Sequence, residues 1–94
     1  MKKEVESFST IGHLIRAYSK NIIGEVVDEV YFFDGRSRHS LQKIQSEIDK
    51  NSYFYIFQVH DMKKEHISPV IPPIFPEHIL SELLKKAKER KWGI

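Results

Sequence analysis

Residues 53–59 read YFYIFQV, and this run decides the fold that the sequence predicts. Aromatic and β-branched side chains fit a pleated, partly buried surface, so the run predicts a β-strand. Apolar side chains occupy both alternating sets of positions along it. A strand that is apolar on both sides is typical of a sheet covered by helices on both faces.

Two further strands are predicted, one on each side of this run along the chain. Residues 25–33 (EVVDEVYFF) predict a first strand, and Asp34-Gly35 after it is a turn signal. Residues 65–71 predict a returning hairpin arm, which Pro69 would confine to a sheet edge. The expected sheet therefore has three strands.

Three helices are predicted from apolar residues three and four apart. The first would begin after Ser9 or Thr10, the second after Ser37 or Ser40, and the third at Pro76. Their apolar positions are Ile11, Leu14, Ile15, Tyr18 and Ile22, then Leu41, Ile44 and Ile48, then Ile79, Leu80, Leu83, Leu84 and Ala87. The predicted fold is α+β, a single small domain over residues 1–94, in the order α-β-α-β-β-α. In it a three-stranded sheet is packed with helices, the strand-helix-strand unit is parallel, and residues 1–8 are flexible.

The amino-acid composition excludes several classes of fold and of functional site. The 94 residues include no cysteine, which excludes a disulfide framework, thiolate zinc sites and cysteine nucleophiles and fits a reducing compartment. The charged start at residues 1–4 is followed by no apolar run, and no stretch has the length of a membrane span, so the sequence predicts neither export nor membrane insertion. The sequence predicts a soluble cytoplasmic protein without membrane contact. Abundant Ile and Lys are typical of AT-rich bacterial or phage genomes.

Residues 33–40 (FDGRSRHS) are the most chemically suggestive stretch. Arg36, Arg38 and His39, with Lys43 beyond them, would surround the N-terminus of the second predicted helix, where unpaired amide groups favour an anion. The glycine patterns of nucleotide-binding loops are missing, so a solvated loop with a serine cap is the simpler interpretation. Asp34 and His39 form the one acid–base pairing that this loop predicts, and turn chemistry is its alternative.

Two other segments are candidates for contact with a partner. Residues 85–92 (KKAKERKW) would bring cations to a phosphate backbone, or would complement the negative end of the helix dipole. Residues 69–76 (PVIPPIFP) would present an apolar surface through Ile71, Ile74 and Phe75. Trp92 would either join that surface or fold back onto the core.

Five histidines raise the question of a metal site. His60 and His66 flank the predicted hairpin turn, and His78 and Glu82 stand four apart in the last helix. Neither pair belongs to a known ligand motif, so the sequence predicts no metal and no cofactor.

The function predicted from these features is that of a small non-enzymatic interaction protein. It would bind and modulate another macromolecule, first of all a protein or a second copy of itself, as regulators, inhibitors and immunity proteins do. Its predicted contact residues are Ile71, Ile74, Phe75 and Trp92. One alternative is nucleic-acid binding through Arg36, Arg38, Lys43 and the basic C-terminal helix; another is a small enzyme acting on an anionic substrate at residues 33–40.

Overall fold

A computed structural model describes residues 8–63 and 67–94 of the chain. In these ranges five antiparallel strands form one curled sheet, in which each strand pairs with its neighbours in sequence, and one helix follows. The elements are β1 (Leu14–Arg16), β2 (Ile22–Phe33), β3 (Ser37–Ser46), β4 (Tyr53–Asp61), β5 (Ser68–Pro69) and α1 (Glu77–Glu89). The described part of the chain is thus a β-meander closed by a helix.

The predicted order α-β-α-β-β-α around a three-stranded sheet is wrong. Both clear strand predictions hold, since residues 25–33 lie in β2 and residues 53–59 lie in β4. Of the returning arm predicted over residues 65–71, the described residues 67–71 form only the short strand β5, where Pro69 occupies a sheet edge as expected. Residues 1–7, 65 and 66, which carry parts of these predictions, lie outside the described residues.

The first predicted helix is wrong because its apolar face has no core to cover. Residues 9–21 instead form β1 and the turns on either side of it, and β1 pairs with the start of β2. Ile11 is 53% exposed and Tyr18 is fully exposed. Helices in small domains depend on burying such a face, so helical spacing without burial does not stabilise a helix.

The second predicted helix is wrong for a different reason. Residues 37–46 form β3, which lies between β2 and β4 and pairs antiparallel with both, so no parallel strand-helix-strand unit exists there. Leu41 and Ile44 are three apart, which places them on opposite faces of a strand, and both are buried. A strand buried on both faces can therefore reproduce the apolar spacing of a helix.

The hydrophobic core lies between α1 and one face of the sheet, here called the helix-side face. Its buried members are Val30, Leu41, Ile79, Leu83, Ala87 and Trp92, flanked by Phe32, Tyr55 and Phe57. The helix begins at Glu77, directly after Pro76, close to the predicted start. Trp92 lies beyond the helix, and its ring stacks on Tyr55 with centroids 5.6 Å apart. Trp92 therefore folds back onto the core.

The backbone of β2 passes very close to β3 at Gly24. A Cβ atom at this position would lie 2.5 Å from the carbonyl oxygen of Gln45 and 2.5 Å from Cγ2 of Ile44. We expect Gly24→Ala to lower the free energy of unfolding by about 1 to 3 kcal/mol, because overpacking forces strands apart. Urea unfolding measures this, with Glu25→Ala at the exposed neighbouring position as control. Equal unfolding midpoints for the two variants would contradict the close approach.

Candidate interaction site

The predicted anion-binding loop is a tight turn between β2 and β3. The Asp34 carboxylate accepts hydrogen bonds from the backbone N–H groups of Arg36 at 2.9 Å and Ser37 at 2.7 Å. Gly35 has φ of 99°, a conformation that glycine adopts without strain. Strand β3 starts at Ser37, where the sequence predicted a helix. The helix N-terminus that would have favoured an anion is therefore replaced by a strand.

The four residues predicted to bind an anion do not converge. Arg38 and His39 are adjacent in β3 and point to opposite faces of the sheet. The Arg36 side chain is 73% exposed and lies 3.6 Å from Asp61. Lys43 lies over the ring of Tyr53, 4.6 Å from its centroid. Anion binding by these four residues stays a prediction. The helix N-terminus on which it was based is not formed, because β3 begins at Ser37.

Arg38 is buried in an ion pair on the face opposite the helix. Its Nη2 atom lies 3.5 Å from Oε1 of Glu29, and the two side chains are only 1% and 6% exposed. The guanidinium group lies between two rings, 4.1 Å from the centroid of Tyr31 and 4.9 Å from that of Phe8. Arg38 is therefore part of the protein interior and is withdrawn from any ligand at the surface.

The Glu29 carboxylate remains ionised beside this arginine. Burial by itself raises the pKa of Glu29, but hydrogen bonds from the Thr10 hydroxyl at 2.6 Å and the Thr10 amide at 3.0 Å, together with the charge of Arg38, outweigh it and lower the pKa. The buried pair thus carries both charges at neutral pH and holds residue 10 against β2.

His60 packs beside this pair, and we expect it to make stability depend on pH. Burial, reinforced by the positive charge of Arg38, lowers the pKa of His60 below its usual 6.5. As the pH falls below 6.5 the unfolded chain therefore binds a proton that the folded protein resists, and stability declines. Between about pH 7.5 and about pH 5.5 we expect a loss of up to about 1.4 kcal/mol.

Thermal unfolding at the two pH values tests this contribution. His60→Phe keeps an aromatic ring against Phe8, whose centroid lies 5.0 Å away, and removes the titration. The variant should therefore lose most of the pH dependence, whereas His13→Phe, at an exposed position, should keep it. A His60→Phe protein that is as acid-sensitive as the wild type would show that the effect arises elsewhere.

The structure brings Asp34 and His39 together, as the sequence predicted. His39 Nε2 lies 2.7 Å from Oδ2 of Asp34, and the imidazole is 95% buried beside the ring of Phe75. Burial raises the pKa of Asp34, but the backbone N–H of Ser37 and the His39 side chain more than offset this and lower it. The carboxylate thus closes the turn and orients the histidine, which is the turn chemistry that the sequence offered as the alternative.

Two of the C-terminal cations, Lys86 and Arg90, form hydrogen bonds with β2. Arg90 donates two hydrogen bonds, at 2.9 and 2.7 Å, to the carboxylate of Asp28. Lys86 Nζ donates to the carbonyl oxygen of Tyr31 at 2.6 Å. Trp92 Nε1 also donates to Asp28, at 2.8 Å. These bonds attach the helix and the residues after it to β2.

The segment between β5 and the helix exposes two isoleucines. The N–H of Val70 donates to the carbonyl oxygen of Val59 at 2.7 Å, so the segment leaves the sheet from the outer side of β4. Ile71 is 83% exposed and Ile74 is 69% exposed. Phe75 instead packs on Phe57 with ring centroids 4.5 Å apart. Of the contact residues predicted from sequence, Ile71 and Ile74 face solvent, whereas Phe75 and Trp92 support the core.

Beside these isoleucines, no strand of the described part of the chain pairs with the outer edge of β4 over residues 53–58. Within residues 8–63 and 67–94, β5 pairs only with His60 and Asp61. Backbone groups alternate in direction along a strand, and the carbonyl of Val59 points outward, so the N–H and C=O groups of Tyr55 and Phe57 also point outward. Residues 53–58 contain no charge and no proline. We call residues 53–58 of β4 the open edge.

The other side of the sheet is protected in a way that the open edge is not. Lys86 Nζ donates to the outward carbonyl oxygen of Tyr31 in β2, and Arg90 binds the carboxylate of Asp28 on the same strand. Charged groups and capped carbonyls are how proteins prevent unwanted pairing at sheet edges. Sequence reasoning missed the open edge because it placed residues 53–59 in the middle of the sheet; the shortness of the apolar run around Pro69 was the available signal.

Comparison of the chain with protein-family models, with curated proteins and with solved structures finds no match. Within the described residues, no helix combines the length and the apolar character needed to cross a membrane. Those residues also contain no cluster of three or more His, Asp or Glu side chains placed to hold a metal ion.

Proposed function

We propose that the protein is a small non-enzymatic interaction protein of the cytoplasm that binds a protein partner, either another protein or a second copy of itself, by accepting a β-strand at the open edge. The observation that carries this proposal is the uncharged run from Tyr53 to Gln58, whose outer side pairs with no strand among the described residues. An extended segment of a partner that pairs with such an edge gains main-chain hydrogen bonds, while nearby side chains select the partner.

The exposed isoleucines supply that selection. Ile71 and Ile74 lie on the segment that leaves the outer side of β4, so a strand added at the open edge would pass next to them. Apolar side chains beside an edge give a bound strand something to bury in addition to its backbone. Phe75 and Trp92 contribute indirectly, because their packing on Phe57 and Tyr55 holds β4 from the helix side.

Nucleic-acid binding has less support. Arg38 is buried, Arg90 is paired with Asp28, and Lys86 is bonded to a backbone carbonyl. A phosphate backbone binds cations that are free at the surface, and releases salt ions when it does so. An enzyme acting at residues 33–40 is also less supported, since Asp34 and His39 are occupied with each other and with the turn.

Nuclear magnetic resonance of the ¹⁵N-labelled protein in a cell extract of its source organism tests the proposal. Binding of a partner should broaden or shift the amide signals of Tyr55 and Phe57, which point outward, more than those of Phe54 and Ile56, which bond to β3. Ile71→Asp should weaken the effect, because a carboxylate placed beside the edge must be desolvated by an apolar partner.

Tyr18→Asp is the matched control, since it adds the same charge at a fully exposed residue in the turn between β1 and β2. It should leave the broadening unchanged. Signals that change around Arg36, Lys43 and the basic helix, and that disappear on nuclease treatment or added salt, would replace the proposal with the nucleic-acid alternative. Unchanged spectra in the extract would count against a protein partner.

A further inference from the structure

We infer that the strand accommodated by the open edge is β4 of a second copy of this chain, so that two sheets join into one across a two-fold axis. This inference rests on the proposed function, because it requires the open edge to accept a strand. Two identical strands that pair antiparallel are related by a two-fold axis, because each strand presents the same groups to the other.

Charge favours self-pairing at this edge. When a strand pairs with its own copy, each residue near the axis comes close to itself or to a near neighbour, so a charged residue there would face a like charge. Residues 53–58 are all uncharged. The outer side of β2 is instead occupied by side chains of the C-terminal part of the chain, since Lys86 binds the carbonyl of Tyr31 and Arg90 binds the carboxylate of Asp28. The open edge is thus free of the like charges that would oppose pairing with a second copy of the strand.

The lengths of the neighbouring elements fix the register. Strand β5 and Val70 occupy the outer side of β4 from Val59 onward, and the turn after β3 ends at Ser52. A second β4 therefore fits between these limits. Only residues with outward backbone groups exchange hydrogen bonds, and an axis at Tyr55 gives the longest overlap. It places Tyr55 opposite the partner's Tyr55 and Tyr53 opposite the partner's Phe57.

In this register, exposed apolar side chains at both ends of the strand pair would also contact each other. The turn between β3 and β4 of one copy would lie against the segment after β5 of the other. Ile48 in that turn is 93% exposed and Ile71 in that segment is 83% exposed. Two symmetric apolar contacts would then flank the strand pair. The interface remains small, so the dimer is expected to be weak and to depend on concentration.

Sedimentation velocity over about 10 μM to about 1 mM protein tests the inference. The wild type should pass from monomer to dimer within this range. Tyr53→Lys adds a charge inside the strand pair at a residue that is 47% exposed in the monomer, so the fold should tolerate it. Because symmetry brings the substitution in twice, it should weaken the dimer by about tenfold or more.

Tyr18→Lys is the control, since it makes the same substitution at a fully exposed tyrosine away from β4. It should dimerise like the wild type. Amide signals of Tyr53, Tyr55 and Phe57 should shift with concentration in the wild type and not in Tyr53→Lys. A wild type that stays monomeric at about 1 mM, a dimer that Tyr18→Lys disrupts equally, or concentration-dependent shifts confined to other elements would overturn self-pairing. In each case, broadening of the Tyr55 signal in cell extract at low protein concentration would still support the proposed function.

Discussion

Arg38→Met should lower the free energy of unfolding by about 3 to 5 kcal/mol, one of the two largest effects expected in this protein. Methionine keeps most of the apolar stem of Arg38 and removes its charge. The Glu29 carboxylate, 6% exposed, would then stay buried without its cation, and a buried unpaired charge costs far more than the pair contributes. Urea unfolding followed by tryptophan fluorescence measures the loss.

Lys50→Met is the control, because Lys50 also pairs with a glutamate, Glu47, but both side chains of that pair are exposed, by 61% and 49%. That variant should change stability by at most about 1 kcal/mol, as exposed ion pairs do. Adding Glu29→Gln to Arg38→Met should recover part of the loss, since it removes the unpaired charge. If Lys50→Met and Arg38→Met destabilised the protein equally, the Arg38–Glu29 pair would not be buried as described.

Leu83→Ala should have a comparable effect through a different cause. Leu83 is fully buried at the centre of the core between α1 and the helix-side face, and its truncation leaves a cavity. Buried leucine-to-alanine changes cost about 2 to 5 kcal/mol, depending on how far the surroundings relax. In a domain of this size such a loss is a large part of the total stability. The expected result is a steep fall in the midpoint of urea unfolding.

Leu84→Ala provides the comparison at the next residue. Leu84 is 36% exposed, so the same change of side chain should cost much less. The pair of variants measures which side of α1 faces the sheet, independently of helix propensity, because both replace leucine by alanine in the same helix. A larger loss for Leu84→Ala than for Leu83→Ala would mean that the helix is rotated relative to the structure.

The sequence predicted the parts of the fold whose local pattern has one interpretation. Residues 53–59 combine aromatic and β-branched residues over a strand's length, and Pro76 precedes a long apolar stripe, so β4 and α1 were correctly placed. Residues 37–46 were wrongly predicted to form a helix. Leu41 and Ile44 are buried on opposite faces of β3, and their spacing of three residues also fits one face of a helix. Only the pairing with β2 and β4, which the spacing within residues 37–46 does not reveal, decides between the two.

The candidate site was predictable only in part. The exposed isoleucines of the segment after β5 and the contact between Asp34 and His39 followed from local sequence. The burial of Arg38 did not, because its counterion Glu29 lies in another strand and is brought to it by the register of β2 and β3. The open edge did not either, since whether a strand is central or peripheral depends on the order of the whole sheet.

The meander has a consequence for how the chain folds. Each strand pairs with the one before it, so hairpins can form in sequence with short loops to close, which favours rapid formation of the sheet. The helix-side face, by contrast, is covered by the element that synthesis delivers last among those described. The bond from Trp92 to Asp28 joins residues 64 positions apart. During translation the apolar side of β2, β3 and β4 is therefore exposed until α1 emerges, and that interval is when the nascent chain is most vulnerable to aggregation.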